Sequence, residues 1–273
     1  MKSLQELQRT WEGLAQADPL WAICTDPAKQ NKQWSREEFF ATGKNEVGVV
    51  LQCVAGLGVS MDGKAPALDF GCGVGRLTRA LAEHFAECWG VDISPTMITL
   101  AKEFNRDLPQ CRFLLNDRDT LEGLQDNYFG FIYSSIVLQH MAERYIRKYL
   151  AELMRVLRPG GLLVFQLPDS LRGSALRRIR ARVALRARVK SIFGKPRPHG
   201  MEMHCIREPV VRKLIEASGA RVVDVRLTNS SEPWFSGNLQ YLQEEPQSGF
   251  VSKQYCVVKG KWRWFPKQMR KRY

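Results

Sequence analysis

The chain has 273 residues, 44% of them hydrophobic and 10% aromatic, enough to bury the core of one large domain with additions. That composition, with a mean hydropathy of −0.30, excludes a wholly disordered, a collagen-like or an integral membrane protein. The net charge of +13 is local: 170–200 holds ten Lys and Arg and no acid, 259–273 holds seven and no acid, and the remainder carries 24 basic against 28 acidic residues.

The N-terminus, MKSLQELQRTWEG, lacks the apolar stretch of a signal peptide, which predicts a cytoplasmic address. The first 46 residues are rich in aromatics (Trp11, Trp21, Trp34, Phe39, Phe40) and read as short helices and loops packed onto something else. A helix is predicted over Val47–Leu57, ending near Gly56 and Gly58. From Ala65 the chain alternates strand and helix: strand Ala67–Phe70, helix Arg76–Phe85, strand Cys88–Val91, a helix opened by Ser94-Pro95, then strands Arg112–Leu115 and Tyr128–Ile136. A helix over Ala142–Leu157 closes at Arg158-Pro159-Gly160-Gly161 and leads to strand Leu162–Leu167. Ser174–Phe193 reads as a strongly basic helix with poor amphipathicity, suited to an anionic partner rather than to insertion in acyl chains. Helix Pro209–Ser218 and strands Arg221–Leu227 and Gln254–Lys259 finish the pattern, the pair of strands predicting one antiparallel edge strand. The alternation implies a doubly wound, mostly parallel α/β sheet.

The most informative stretch is Asp69-Phe70-Gly71-Cys72-Gly73-Val74-Gly75-Arg76. Alternate glycines let the chain turn sharply off a strand while its N–H groups approach a ligand, and the next helix points its positive end at the same place. Asp92, at the end of the second strand, stands where a carboxylate accepts from two ribose hydroxyls. A dinucleotide fingerprint fails because Arg76 occupies its small-residue position, and a Walker loop fails because no Gly-Lys-Ser/Thr occurs.

Asp-x-Gly-x-Gly-x-Gly resembles motif I of the class I S-adenosylmethionine methyltransferases, and the likeness extends over Ala65–Pro168. It implies a Rossmann-like, doubly wound, seven-stranded sheet, with an N-terminal helical lid over 1–46, a methyltransferase domain over 47–273 and a basic helical insertion at 170–200. It also implies S-adenosylmethionine as cofactor, contacted by Asp69, Gly71, Cys72, Gly73 and Gly75, by Asp92 and Ile93, by Asn116 and Asp117 at the adenine, and by Ser134 at the end of the fourth strand. Leu157–Gly161 matches the family's Pro-Gly-Gly turn, whereas the usual acid of the fourth-strand motif is replaced by Gly130. His140, just past that strand, is implied as the acceptor's base; the alternative is a hydrogen-bonded structural histidine.

The expected reaction is methyl transfer to an oxygen or nitrogen of a small-molecule, glycan or lipid-linked acceptor. A non-catalytic partner subunit is disfavoured by the intact loop and both acids. Charge keeps an RNA-modifying enzyme open, but Ser134-Ser135-Ile136-Val137 stands where base-amino enzymes carry Asp/Asn-Pro-Pro-Tyr, so nucleic acid is the weaker alternative. Arg172–Arg197 predicts attraction to anionic membrane surfaces, with peripheral attachment at the inner face. Seven scattered cysteines with no C-x-x-C pair predict reduced thiols, and His199, His204 and Cys205 lack a fourth ligand, so no metal is expected.

Overall fold

The computed structural model describes residues 3–59, 61–173, 202–232 and 234–260. The expected basic helix over 174–193 lies outside the described residues, as does the basic stretch from 261 onward.

Capping residues set the helix starts. Helix α1 (Leu4–Ala17) opens on a reciprocal box in which the Glu6 N–H donates to Ser3 Oγ at 3.2 Å and the Ser3 N–H to Glu6 Oε2 at 2.7 Å. Asp18 caps the short α2 (Pro19–Ile23) through the Trp21 N–H, and Ser35 caps α3 (Arg36–Gly56) through the Glu38 N–H. The cap at Ser35 makes α3 one continuous helix, so it begins well before the predicted Val47 and runs through the expected lid boundary at residue 46. Strand β1 (Ala67–Phe70) leads to α4 (Arg76–Leu81), β2 (Cys88–Asp92) to α5 (Pro95–Phe104), and β3 (Cys111–Leu115) to β4 (Phe129–Ser134). A 3-10 turn at Leu138–His140 precedes α6 (Glu143–Val156), β5 (Leu157–Arg172), α7 (Glu208–Ala217), β6 (Ala220–Thr228), β7 (Tyr241–Leu242) and β8 (Gly249–Lys259).

Among the described residues the sheet has eight strands in the order β3-β2-β1-β4-β5-β8-β6-β7, one more than expected. The addition is β7, whose two residues pair with Leu227 and Thr228. Strands β3 to β5 run parallel. Of the expected C-terminal pair neither is the edge strand: β8 runs antiparallel between β5 and β6, and the antiparallel strand at that edge is β7. Strand β8 starts at Gly249 because β5 continues past Pro168, so that Ser170–Arg172, expected inside the basic insertion, pair with Val251–Gly249.

Alternation along the strands buries both sheet faces. Leu68, Phe70, Ile132, Leu163 and Phe165 pack with α6 and α7, while Ala67, Phe131, Tyr133, Leu162 and Val164 pack with α3 and α4. The strand order reverses between β1 and β4, and the loops leaving their C-terminal ends diverge there, which opens the crevice used by ligands in doubly wound sheets.

One ion pair crosses the second core. The Arg76 guanidinium, 3% exposed, meets Glu46, fully buried, at 2.7 Å, and the Tyr133 hydroxyl donates to the other oxygen of Glu46 at 2.8 Å. The arginine that breaks a dinucleotide fingerprint is therefore a tie between α4, α3 and β4. Helix α3 passes so close to it that a Cβ at Gly43 would lie 2.5 Å from the Arg76 carbonyl oxygen. Next to the pair, Asp69 accepts from the Thr78 hydroxyl at 2.7 Å, and burial pushes its carboxyl up to about 7 despite that bond and the nearby arginine.

Removing one partner of a buried pair leaves the other charge uncompensated. Glu46→Ala is expected to cost about 3–5 kcal/mol of stability in urea denaturation, and Arg76→Met together with Glu46→Met much less than the two single losses combined. The raised carboxyl of Asp69 binds its proton more tightly folded than unfolded. Its contribution is full below pH 4 and is lost as pH rises through about 7. Asp69→Asn should flatten that fall, worth up to about 4 kcal/mol, when urea midpoints of mutant and wild type are compared from pH 4 to 8.

Candidate functional site

The crevice is a cavity of about 220 Å³ lined by the loop after β1, the ends of β2 and β4, helix α1 and the 230–232 turn. Gly71, Gly73 and Gly75 all take positive φ (83°, 53° and 84°), the conformation that lets the chain leave β1 and enter α4 within five residues. At Gly71 the fit is tight as well, since a Cβ would lie 2.2 Å from Val137 Cγ2. Val137 is delivered by Ile136, which lines the cavity at φ 61°, a strained conformation for a β-branched residue. The two diverging loops are thus locked to each other at the switch point.

Asp92 organises the cofactor side. Its two oxygens accept from the Gly73 and Ser94 N–H groups, each at 2.9 Å, and the carboxylate still borders the cavity with lone pairs to spare. Burial raises its carboxyl, against the pull of those two N–H donors. Burial also holds the Cys72 thiol well above its usual range, so it is an uncharged wall of the cavity. Asn116 follows β3 and lies at the cavity wall with its amide donating to the Arg118 carbonyl at 3.0 Å.

Helix α1 covers this end. Gln8 donates to the Ile93 carbonyl at 3.2 Å, and Glu12 accepts from the Ser94 hydroxyl at 2.6 Å and from Thr96. Burial raises the Glu12 carboxyl, but the hydrogen bonds from Ser94 and Thr96 outweigh it and hold the group below its ordinary value.

At the other end stands His140, buried, with the Trp11 ring edge-on at 5.2 Å between centroids. Its Nδ1 lies 3.0 Å from the Glu202 carbonyl oxygen, which only accepts, so that nitrogen carries a proton. Its Nε2 lies 3.1 Å from Gln139 Nε2. The Gln139 oxygen in turn accepts from Gln166 Nε2 at 3.1 Å and from the Ser231 hydroxyl at 2.9 Å. Gln166 also reaches the Ser252 hydroxyl at 2.7 Å, and Thr228 donates to Ser252 at 3.0 Å.

Of the residues expected from sequence, Gly71, Cys72, Gly73, Asp92, Ile93, Asn116 and His140 line one cavity. Four do not line it. Asp69 is spent on Thr78 beneath the loop, Gly75 is closed off by Asn105 and Phe113, and Ser134 donates to the Phe70 carbonyl at 3.0 Å, joining β4 to β1. Asp117 is exposed beyond Asn116. Trp11, among the aromatics expected to form the lid, lines the cavity too, while Leu7 of α1 and the Gln139–Gln166–Ser231 network are residues that sequence reasoning missed. Gln166 left one signal, a lone polar residue inside the apolar run Leu162–Leu167. Among the described residues no group of acids, histidines and cysteines is arranged to hold a metal.

A family model described as a methyltransferase domain matches residues 68–165. A trans-aconitate 2-methyltransferase from Methylobacterium radiotolerans is 32% identical over 169 residues, covering 61% of this chain and 62% of that protein. One from Variovorax paradoxus is 36% identical over 119 residues, covering 43% of this chain and 44% of that protein. The chain thus spans less than two thirds of the length of either. A solved structure of magnesium protoporphyrin IX methyltransferase from Synechocystis PCC 6803 with bound SAH superposes with a TM-score of 0.59 at 17% identity, covering 94% of this chain and 99% of that one, which shows a shared fold. The domain match runs from the strand before the glycine loop to the strand beyond His140, so residues 68–165 of this chain match a methyltransferase domain and include most of the cavity's polar lining.

Proposed function

We propose that the protein transfers the methyl group of S-adenosylmethionine to an oxygen or nitrogen of a small-molecule acceptor. The observation that carries this reading is the presence, in one cavity, of the Gly71–Gly73 loop with Asp92 at one end and a buried histidine, bonded through Nδ1 to the Glu202 carbonyl, at the other. The donor set suits the cofactor: Asp92 keeps acceptor capacity for a diol, and Asn116 presents an amide beside it. When bound, S-adenosylmethionine supplies a methyl group already activated by the sulfonium charge.

The chain's own work is alignment, exclusion of water and proton handling. Leu7 and Trp11 of α1 close the cavity over the reacting end. His140 is oriented by Glu202 through Nδ1, which leaves Nε2 as the atom to take the proton of an acceptor hydroxyl or ammonium. The aromatic and aliphatic lining, with Trp11, Phe235 and Phe250, favours a small acceptor over a nucleic acid, which would need an open basic groove. The basic segment Arg172–Arg197 is read as a salt-sensitive contact for anionic surfaces, and no helix among the described residues is long and apolar enough to cross a membrane.

Calorimetry with S-adenosylhomocysteine (SAH) tests the cofactor half. Asp92→Ala should weaken binding by about 1.5–3 kcal/mol, and tighter binding of NAD than of SAH would sink the reading. His140→Asn should leave SAH affinity within about twofold while lowering methyl transfer about 10²-fold across a panel of small alcohols, phenols and amines.

A further inference from the structure

The hydrogen bonds of Gln139 and Gln166 form a buried chain that ends on Nε2 of His140, the nitrogen assigned to the acceptor's proton. Gln139 is 3% exposed and Gln166 2% exposed. A carboxamide has one accepting and one donating end, and the two ends look alike in shape, so its orientation is fixed by its partners. Here those partners are specific. The Gln139 oxygen accepts from Gln166 Nε2 and the Ser231 hydroxyl, which leaves the Gln139 NH₂ aimed at His140 Nε2. A donor facing Nε2 is satisfied only by a bare lone pair, and the Glu202 carbonyl already requires the ring proton to sit on Nδ1. Both contacts therefore select one species, neutral imidazole protonated at Nδ1.

We propose that Gln139, held by Gln166 and Ser231, is a positioning residue that keeps His140 neutral with its lone pair on Nε2 until the acceptor arrives. This rests on the reading of His140 as the base. The acceptor's hydroxyl or ammonium displaces the Gln139 NH₂ from the single lone pair of Nε2, its proton moves to that nitrogen, and the electron pair of its bond to hydrogen stays on the attacking oxygen or nitrogen. The new Nε2–H then needs an acceptor. Gln139 supplies one by turning its carboxamide through half a rotation, so that its oxygen faces the ring. Its NH₂ then faces Gln166, which turns likewise to present its oxygen to Gln139, Ser231 and Ser252. Gln166 Oε1, buried with no partner, is the end of the amide that such a turn brings into use. The hydroxyls of Ser231 and Ser252 suit both orientations because each donates as well as accepts.

Among the described residues the titratable groups that line the same cavity are Cys72, Arg76, Asp92, Tyr149 and Glu232, with Glu202 and His204 paired at 3.2 Å next to the Nδ1 contact. They are the same in wild type and in variants of the two glutamines, so a difference between these isolates the carboxamide chain. The experiment is an NMR titration of the histidine rings in the full-length protein saturated with SAH, the four histidines being assigned by loss of one signal in His140→Asn. In the wild type, the His140 ring below its transition to imidazolium should show a protonated Nδ1 and a bare Nε2. Gln139→Leu removes the donor that opposes protonation and should raise the midpoint by about one pH unit. Gln166→Met frees Gln139 to turn its oxygen to the ring and should raise it as well, which a role for Gln139 as mere packing does not predict. Calorimetric SAH affinity reports on the cofactor reading separately and should stay within about twofold in both variants. A wild-type ring protonated at Nε2, or midpoints that stay put or fall in both variants, overturns the proposal. Should Gln139→Leu fail to fold, Gln166→Met and Ser231→Ala decide it on the same readout.

Discussion

The contact between Glu46 and Arg76 is the constraint on which the site's geometry leans. It joins the middle of α3 to the first residue of α4, and through Tyr133 it fixes β4 in the same bond set. Those three elements carry the glycine loop and the strand after which the acceptor end is built. A charge pair at full burial is costly to form and gives little net stability, but its partners tolerate few alternative geometries. Arg76 is where the chain leaves the last left-handed glycine, so any slip of α4 along its axis would part the pair and unseat the loop.

The locking is repeated at the switch point by sterics. Gly71 has no room for a Cβ because Val137 fills it, and Val137 is there because Ile136 accepts a strained backbone. Strain of this kind persists only where packing overrules it, and here both loops that bound the cavity contribute. The β1 and β4 exits behave as one piece, with Ser134 bonding back to the Phe70 carbonyl just below them.

How much of this was legible in the sequence follows from the range of each interaction. The parallel core was readable because its strands are short apolar runs bounded by turn residues, and the glycine loop and Asp92 because backbone conformation and strand order fix their spacing. The C-terminal pair of strands was placed at an edge, since nothing local in Gly249–Lys259 reveals that this strand slots between β5 and β6. Asp69 and Ser134 illustrate a different limit. The sequence assigned both to the cofactor, whereas their side chains turn inward to Thr78 and the Phe70 carbonyl, which spacing along the chain does not encode. Trp11 and His140 stand far apart along the chain yet meet edge-on, and no periodicity announces a contact between such distant segments.

Helix α1 joins the two ends of the cavity physically. On one side Gln8 and Glu12 hold the turn that follows Asp92, at Ile93, Ser94 and Thr96; on the other, Trp11 lies edge-on to His140. Residues 8, 11 and 12 fall on adjacent positions of one helical face, so a single rigid element touches both the cofactor side and the base. Each tie is modest, a few hydrogen bonds on partly buried groups plus one aromatic contact, each worth about 1 kcal/mol. Beside them Leu7 is buried in the sheet core and Leu14 and Ala15 pack with Phe39, Val74 and Met97, so apolar burial as well as hydrogen bonds seats α1 over the cavity. Its helix carries its own capping box at Ser3 and Glu6, which keeps it a rigid unit as it docks. The same helix therefore bounds both the turn after Asp92 and the ring of His140, whose orientation is set separately by Glu202 and Gln139.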